Sequence, residues 1–339
     1  NLCISHESET LMNHTTIDKK PNLLIYGEAL IDEFPQEKVI GGAPFNVARS
    51  LSLLGARPLM LSRLGQDANA DLIRAEAART GLLVDGLQLD EEHPTGRVVV
   101  HMDEQGNNSS HRFEILPDQA YDYIDASLVE DVLRKVFQET PPDLIYYGSL
   151  IQRTAVSQQT LITILESDLT EGASKFLDLN LRDGQATVET ISSSLNYCDM
   201  VKLNEDELQF VIQHCCPAAS DLKVECEPVS LRQACEVLMA EFYMQAVIVT
   251  LGEKGYFYLD ANDECLHSLE QTPAAVQVVD TVGAGDAFTA MFIYGWQCNW
   301  PIEKTLAMAN HFAAAICTVR GAVAEHLDFY KDILAHSAS

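Results

Sequence analysis

From Asn22 onward, short β-rich apolar runs alternate with longer amphipathic stretches, and that alternation restricts the chain to few architectures. The runs LLIYGEALI (Leu23–Ile31), PLMLSRLG (Pro58–Gly65), LIYYGSL (Leu144–Leu150), KFLDLNL, DMVKLN and AVIVTLG read as strands. Helical periodicity runs between them over Phe45–Leu54, Ala68–Thr80, Ala126–Gln138, Ala155–Leu165, Asp206–His214 and Leu231–Tyr243. Strands that are apolar on both sides, each followed by an amphipathic helix, require a parallel sheet covered on both faces. One stretch breaks the rhythm. Thr95–Ile115 (TGRVVVHMDEQGNNSSHRFEI) reads as two strands around a Gly/Asn turn, an antiparallel hairpin without a helix. With the irregular piece Asp32–Gly42 it suggests a small, discontinuous β lid from about 32–42 and 95–115 on an α/β core. Residues 1–20 are polar and aperiodic and read as an N-terminal extension, with Met12 a candidate natural start; 21–339 form the remaining unit.

Charge narrows the function. Against 50 Asp and Glu stand 22 Lys and Arg, a net charge of −28, which repels a phosphate backbone and excludes a nucleic-acid partner. A small anionic ligand remains compatible, because backbone amides and a few local cations can hold phosphate whatever the global sign. No apolar run is long enough to span a bilayer, and no charged start precedes an apolar h-region, so neither a membrane protein nor a secreted one is expected. The nine cysteines are scattered without a C-x-x-C, with Cys215 and Cys216 adjacent, a pattern of reduced thiols in a cytoplasmic enzyme. The dispersed histidines form no H-E-x-x-H pair, so metal catalysis through protein nitrogen ligands is not indicated. His101, His111 and the Glu91–His93 run read as surface, and Tyr146-Tyr147 as core.

Two segments carry chemistry. In DTVGAGDAFTAMFIYGW (Asp280–Trp296), Gly283-Ala284-Gly285 is small enough for a ligand to reach the backbone, and Asp286 opens an apolar helix. Free N–H groups at a helix start make an anion pocket, and a carboxylate beside it can take a proton from a hydroxyl attacking a bound phosphoryl group. The same residues also suit an ordinary turn and helix start. In VIGGAPFNVARSLSLLGA (Val39–Ala56), Gly41-Gly42 form a turn, Pro44 suits a first helical turn, and Asn46 faces whatever lies over that turn. Asp32 offers a carboxylate to sugar hydroxyls. A loop leading into a helix is the plain alternative.

Together these segments resemble the paired signatures of the PfkB, or ribokinase-like, carbohydrate kinases. LSRLGQDANADLI, VKLNEDEL, TLGEKG and ANHFAAAICTVRGA continue the resemblance in the family's order across most of Asn22–Ala322. It implies a three-layer α/β/α core with a mostly parallel central sheet and a small β-sheet lid. It also implies ATP, Mg2+ and K+ as cofactors, and a small-molecule sugar as partner. Asp286 would be the general base, with the amides of Gly283, Ala284 and Gly285 as anion hole. Asp32, Gly41, Gly42, Asn46, Arg97 and Arg182 would bind the sugar. Lys202, Asn204, Thr250, Gly252, Gly255 and Asn310 would bind the nucleotide, and Glu207 would hold Mg2+ through water. Asn204 and Glu207 equally fit a helix capping pair. Asp280 and the Val282 carbonyl, with carbonyls near Ile316 and Gly321, would take a monovalent cation. A dimer through the β lid follows family habit.

GEALID, GGAP and LNLR look most like the fructokinase and 2-keto-3-deoxygluconate kinase branches, with two departures: Leu179 stands where those branches carry proline, and Phe45 where they carry alanine. A non-catalytic sugar- or nucleotide-binding protein of the same fold is the alternative of another class, and the retained Asp286 argues against it. Neither G-x-G-x-x-G after the first strand nor G-x-x-x-x-G-K-[ST] occurs, which excludes a dinucleotide oxidoreductase and a Walker-type ATPase.

Overall fold

The computed structural model describes residues 22–102, 111–137, 140–269 and 277–336. The extension at 1–20 with Met12, the tip of the 95–115 hairpin and Gln138 lie outside the described residues. In chain order the elements are β1 (Leu23–Tyr26), β2 (Leu30–Glu33), β3 (Lys38–Gly41), α1 (Ala43–Leu53), β4 (Pro58–Gly65), α2 (Ala68–Thr80), β5 (Leu87–Asp90), β6 (Gly96–Met102) and β7 (His111–Ile115). There follow α3 (Ala126–Phe137), β8 (Leu144–Gly148), α4 (Ala155–Leu165), β9 (Ser174–Asp178), α5 (Val188–Tyr197), β10 (Met200–Asn204), α6 (Glu205–Cys215) and α7 (Pro228–Phe242). The last are β11 (Ala246–Thr250), β12 (Tyr256–Asp260), β13 (Cys265–His267), α8 (Ala284–Gln297), α9 (Ile302–Ile316) and α10 (Leu327–His336).

Nine strands form the main sheet in the order β13-β12-β11-β10-β9-β8-β1-β4-β5, parallel except at the β11–β12–β13 edge. Period-2 alternation splits each strand between two cores. Leu23 and Ile25 pack with α1, α2, α8, α9 and α10, whereas Leu24 and Tyr26 pack with α3 through α7. Tyr146 and Tyr147 divide likewise, both fully buried. The result is the expected three-layer α/β/α core. From β1 the chain builds outward through β4 and β5, then returns through β8 to build the other way. The strand order therefore reverses beside β1, and the crevice beyond the strand ends there is where open α/β sheets bind ligands.

A second sheet, β3-β2-β6-β7, stands on this core. Its origin corrects one strand expectation. Leu23–Ile31 is not one strand: the chain leaves the main sheet at Gly27-Glu28 and enters the small sheet at Leu30. Gly27 permits the break because Pro44 packs on it so closely that a Cβ would lie 2.2 Å from the proline ring. Helix α5, helix α10 and strands β5, β12 and β13 were not anticipated from the sequence; β5 and β13 are the sheet's two edges, and β12 joins β13 to the parallel part.

Gly42 connects the two sheets to α1. Its φ of +97° is open to glycine alone, and a Cβ would lie 2.6 Å from the Glu28 carbonyl oxygen. Gly42→Ala should lower the unfolding free energy by about 1–3 kcal/mol, read from the urea midpoint; an unchanged midpoint contradicts this role for the turn.

Candidate active site

The first turns of α1 and α8 meet at the strand-reversal crevice. Helix α8 is entered through Gly283, whose φ of +79° and contact with Ala322 (2.4 Å to a hypothetical Cβ) leave no room for a side chain. No side chain caps this helix, so its leading amides point outward as donors, reinforced by the helix dipole. Ala284 N–H leans back on the Thr281 carbonyl at 3.3 Å. Asp286 sits in the same first turn. Its Oδ2 accepts a 2.7 Å hydrogen bond from Asn46 Nδ2 in the first turn of α1.

Burial pushes the Asp286 carboxyl up to about 6; the Asn46 bond pulls it down, buried Asp178 pushes it further up, and Lys202 and Arg182 pull it down. Part of the residue still meets solvent at the cleft floor, so a ligand can reach it. Lys202 lies beneath. Its Nζ is 2.9 Å from Asp178 Oδ1 and 3.7 Å from where a Gly285 Cβ would stand. Burial opposes the ammonium charge, but the Asp178 carboxylate outweighs it and holds the amine above its usual range. A fixed cation thus backs the anion pocket. Asp178 is anchored in turn by Thr289 Oγ1, which donates to its Oδ2 at 2.9 Å.

The acceptor-side residues gather at the small sheet's root. The absent side chain at Gly41 makes room for Asp32, whose Oδ2 would be 2.3 Å from a Cβ there. Burial raises Asp32 to about 6, opposed by Arg182. Glu28, in the break between β1 and β2, is 4% exposed, and its Oε2 has no hydrogen-bond partner. Burial raises it to about 7, offset by Arg182 and Arg153 and reinforced by Asp286. Asp32, Glu28, Arg182, Asn46 and Asp286 therefore share one field. Arg97 lies 3.5 Å from Glu33, the residue after Asp32.

The other predicted residues lie along the β10–β11 ends. Asn204 and Glu207 form a reciprocal capping box on α6, and Glu207 Oε1 also accepts the Leu181 N–H at 2.6 Å. Burial raises Glu207, with the Asn204 and Leu181 amides and Lys202 working against it. Thr250 Oγ1 donates to the Leu203 carbonyl at 3.4 Å, Gly252 is exposed, and Gly255 faces Ser268 and Asn310. Asp280 ties two loops together: Oδ1 accepts Val282 N–H at 3.0 Å and Oδ2 accepts Gly321 N–H at 3.1 Å. The Ile316 carbonyl accepts the Val319 N–H. Among the described residues no group of three or more His, Cys, Asp or Glu is placed to hold a metal, and no helix is long and apolar enough to cross a membrane. The described cysteines are all unpaired.

Both sequence departures resolve structurally. Phe45 is fully buried in the α1 core beneath the Arg49 guanidinium, 5.1 Å away, rather than narrowing the cleft. Leu179 N–H donates to the Lys202 carbonyl at 2.9 Å, a bond proline cannot make. Sequence reasoning passed over Glu28, Asp178 and Thr289. The signal for the first two was present: a lone carboxylate inside an otherwise apolar run, in LLIYGEALI and KFLDLNL, is expensive to bury and so calls for a reason.

Comparison with known proteins supplies the family. Residues 10–328 match the pfkB family of carbohydrate kinases. The chain is 27% identical over 325 residues to a fructokinase of Salmonella typhimurium, covering 91% of this chain and 97% of that one. It shares its fold with a Vibrio cholerae fructokinase solved with fructose, ADP and calcium ion (TM-score 0.71, 23% identity, 92% and 98% of the two chains). A 2-dehydro-3-deoxygluconokinase of Thermotoga maritima is also similar in fold (TM-score 0.76, 16% identity, 93% and 99%). The chain belongs to the pfkB family of carbohydrate kinases, and its reaction is phosphoryl transfer to a sugar.

Proposed function

We propose that the chain is an ATP-dependent fructokinase-like enzyme in which Asp286 is the general base. The observation that carries this reading is the Asp286 carboxylate, lodged in the same helical turn as the open amides of α8 and backed by Lys202. A sugar hydroxyl attacks the γ-phosphorus; its O–H proton passes to an Asp286 oxygen as the new O–P bond forms, and the bond to the β-phosphate oxygen breaks with ADP leaving. The amides of Gly283, Ala284 and Gly285, with Lys202 behind them, face the charge on the transferred group. Thr250, Gly252, Gly255 and Asn310 line the nucleotide side, next to Asn204. Residues 21–339 act as one kinase unit, whose lid from about 32–42 and 95–115 closes over the acceptor and limits water.

Magnesium fits by way of water. Each Glu207 oxygen accepts one backbone N–H and keeps a lone pair for a bound water, and magnesium retains much of its water shell. When bound it neutralises phosphate charge. The Asp280 carboxylate, tied to Gly321, would take K+ together with the Val282 carbonyl and carbonyls near Ile316 and Gly321.

The acceptor pocket favours a neutral sugar. Glu28 and Asp32 supply two carboxyls, while Arg153 is already occupied by Asp122, leaving Arg182 as the cation that both carboxyls feel. A carboxylated acceptor such as 2-keto-3-deoxygluconate meets that acidity; fructose offers only hydroxyls. The fructokinase relative supports the same choice. The reading includes a homodimer through the small sheet, where Phe113 is half exposed, and a cytoplasmic setting.

An ATP-coupled screen of fructose, ribose, 2-keto-3-deoxygluconate, fructose 1-phosphate and adenosine should give fructose the highest kcat/KM. A preference for 2-keto-3-deoxygluconate would transfer the assignment to that branch. Asp286→Asn should lower kcat for the best acceptor about 10²–10⁴-fold, and retained turnover would remove the general base. The kcat/KM profile should rise with pH to a midpoint near 6, because the base works only when ionised and its free-enzyme value is raised to about 6. A profile flat from pH 5 to 8 contradicts this.

A further inference from the structure

Asn46 can turn either end of its amide toward Asp286, and the two ends are almost the same size, so sterics alone do not choose between them. The choice decides the chemistry: the NH2 group stabilises a carboxylate, whereas the oxygen repels it. Arg49, one helical turn later in α1, occupies the far end. Its Nη2 donates to Asn46 Oδ1 at 2.5 Å and reaches the Ile40 carbonyl at 3.4 Å. Its Nη1 pairs with Glu76 Oε1 of α2 at 2.8 Å, and its guanidinium lies over Phe45. Glu76 is gripped in turn by Arg79, whose Nε lies 2.7 Å from Oε2 and whose Nη1 donates to the Glu325 carbonyl. A continuous relay therefore runs from the α2 surface to the cleft floor through Arg79, Glu76, Arg49, Asn46 and Asp286.

Arg49 is a costly device for packing alone. Its side chain is 6% exposed, and its Nε is buried without a partner. A buried ion pair of this kind is weak support for stability compared with an apolar replacement. An arginine can meet both partners at once because its planar fork presents several donors in fixed directions.

Building on Asp286 as the base, we propose that Arg49 is a positioning residue for phosphoryl transfer: it holds the Asn46 oxygen, so that the Asn46 NH2 group is the end that meets the Asp286 carboxylate. Other charged groups also face the pair. Asp178, Lys202, Arg182, Glu28 and Asp32 surround Asp286, and Glu76, Arg79 and the Tyr330 hydroxyl surround Arg49. Arg49→Met also removes a positive charge near Asp286, whereas Arg49→Lys keeps that charge, so the difference between those two profiles reports the amide.

The test compares kcat/KM against pH for the wild type, Arg49→Met, Arg49→Lys and Glu76→Gln, using the best acceptor. Arg49→Met fills a similar volume without a donor. Its acidic midpoint should move up by about one pH unit, costing about tenfold on the acid limb and little above pH 8. Arg49→Lys, which can donate to one partner but not both, should fall between, and Glu76→Gln should show a smaller shift in the same direction. An equal loss at every pH with an unmoved midpoint would reduce Arg49 to a packing residue and overturn the inference. If Arg49→Met does not fold, Arg49→Lys and Glu76→Gln decide alone, and unmoved midpoints in both overturn it. Failure of the general-base reading is separable, because it appears as turnover in Asp286→Asn whatever the position-49 profiles show.

Discussion

A buried carboxyl at the mouth of an uncapped helix is the constraint around which the rest of the structure is arranged. In the proposed mechanism Asp286 must be close enough to the amides of α8 to act on whatever they bind, yet its own negative charge opposes an anionic ligand. The structure reconciles these with donors. Asn46 satisfies one carboxylate oxygen, and Lys202 supplies positive charge from below through its pair with Asp178. Each comes from a separate stretch of chain, so the site exists only when α1, α8, β9 and β10 are assembled. Catalytic geometry of this sort is sensitive to small displacements, which explains why the supporting contacts are buried and multiply bonded.

The surroundings of Asp286 are acidic, with Glu28, Asp32 and Asp178 nearby, in a chain already at −28. Global charge therefore does not attract the nucleotide. In the proposed site, local backbone dipoles and Lys202 hold its phosphates, with a bound metal to neutralise the remainder. On the acceptor side the acidity is useful. In the proposed acceptor site, two carboxyls raised by burial to about 6 to 7 can share hydroxyl hydrogen bonds with a neutral polyol.

Much of this was legible beforehand, for identifiable reasons. Helices Ala68–Thr80 and Ala155–Leu165 were bounded correctly because apolar periodicity and flanking residues agree there. Asp286 and Asn46 could be singled out because glycine-rich turns ahead of apolar helices are local signals. Their mutual 2.7 Å contact, across 240 residues of sequence, was not legible, since it depends on how α1 and α8 cross. The break at Gly27-Glu28 was hidden because an apolar run either side of one glycine reads as continuous strand. The pairing of Arg97 with Glu33 depends on the register of two strands distant in sequence and was not legible either. Arg49 was invisible as a participant: an arginine on an amphipathic helix ordinarily reads as solvated, and only the packed α1–α2 contact shows it buried.

The central claim is that acceptor hydroxyl, terminal phosphate and Asp286 converge at the start of α8. The most direct measurement is a crystal structure of the slowed Asp286→Asn protein with ATP, magnesium and its best acceptor sugar. The account predicts one sugar hydroxyl within about 3 Å of the side chain at position 286, and the γ-phosphate resting on the amides of residues 283–285 with Lys202 behind them. A sugar bound away from position 286, or a γ-phosphate directed elsewhere, would contradict it.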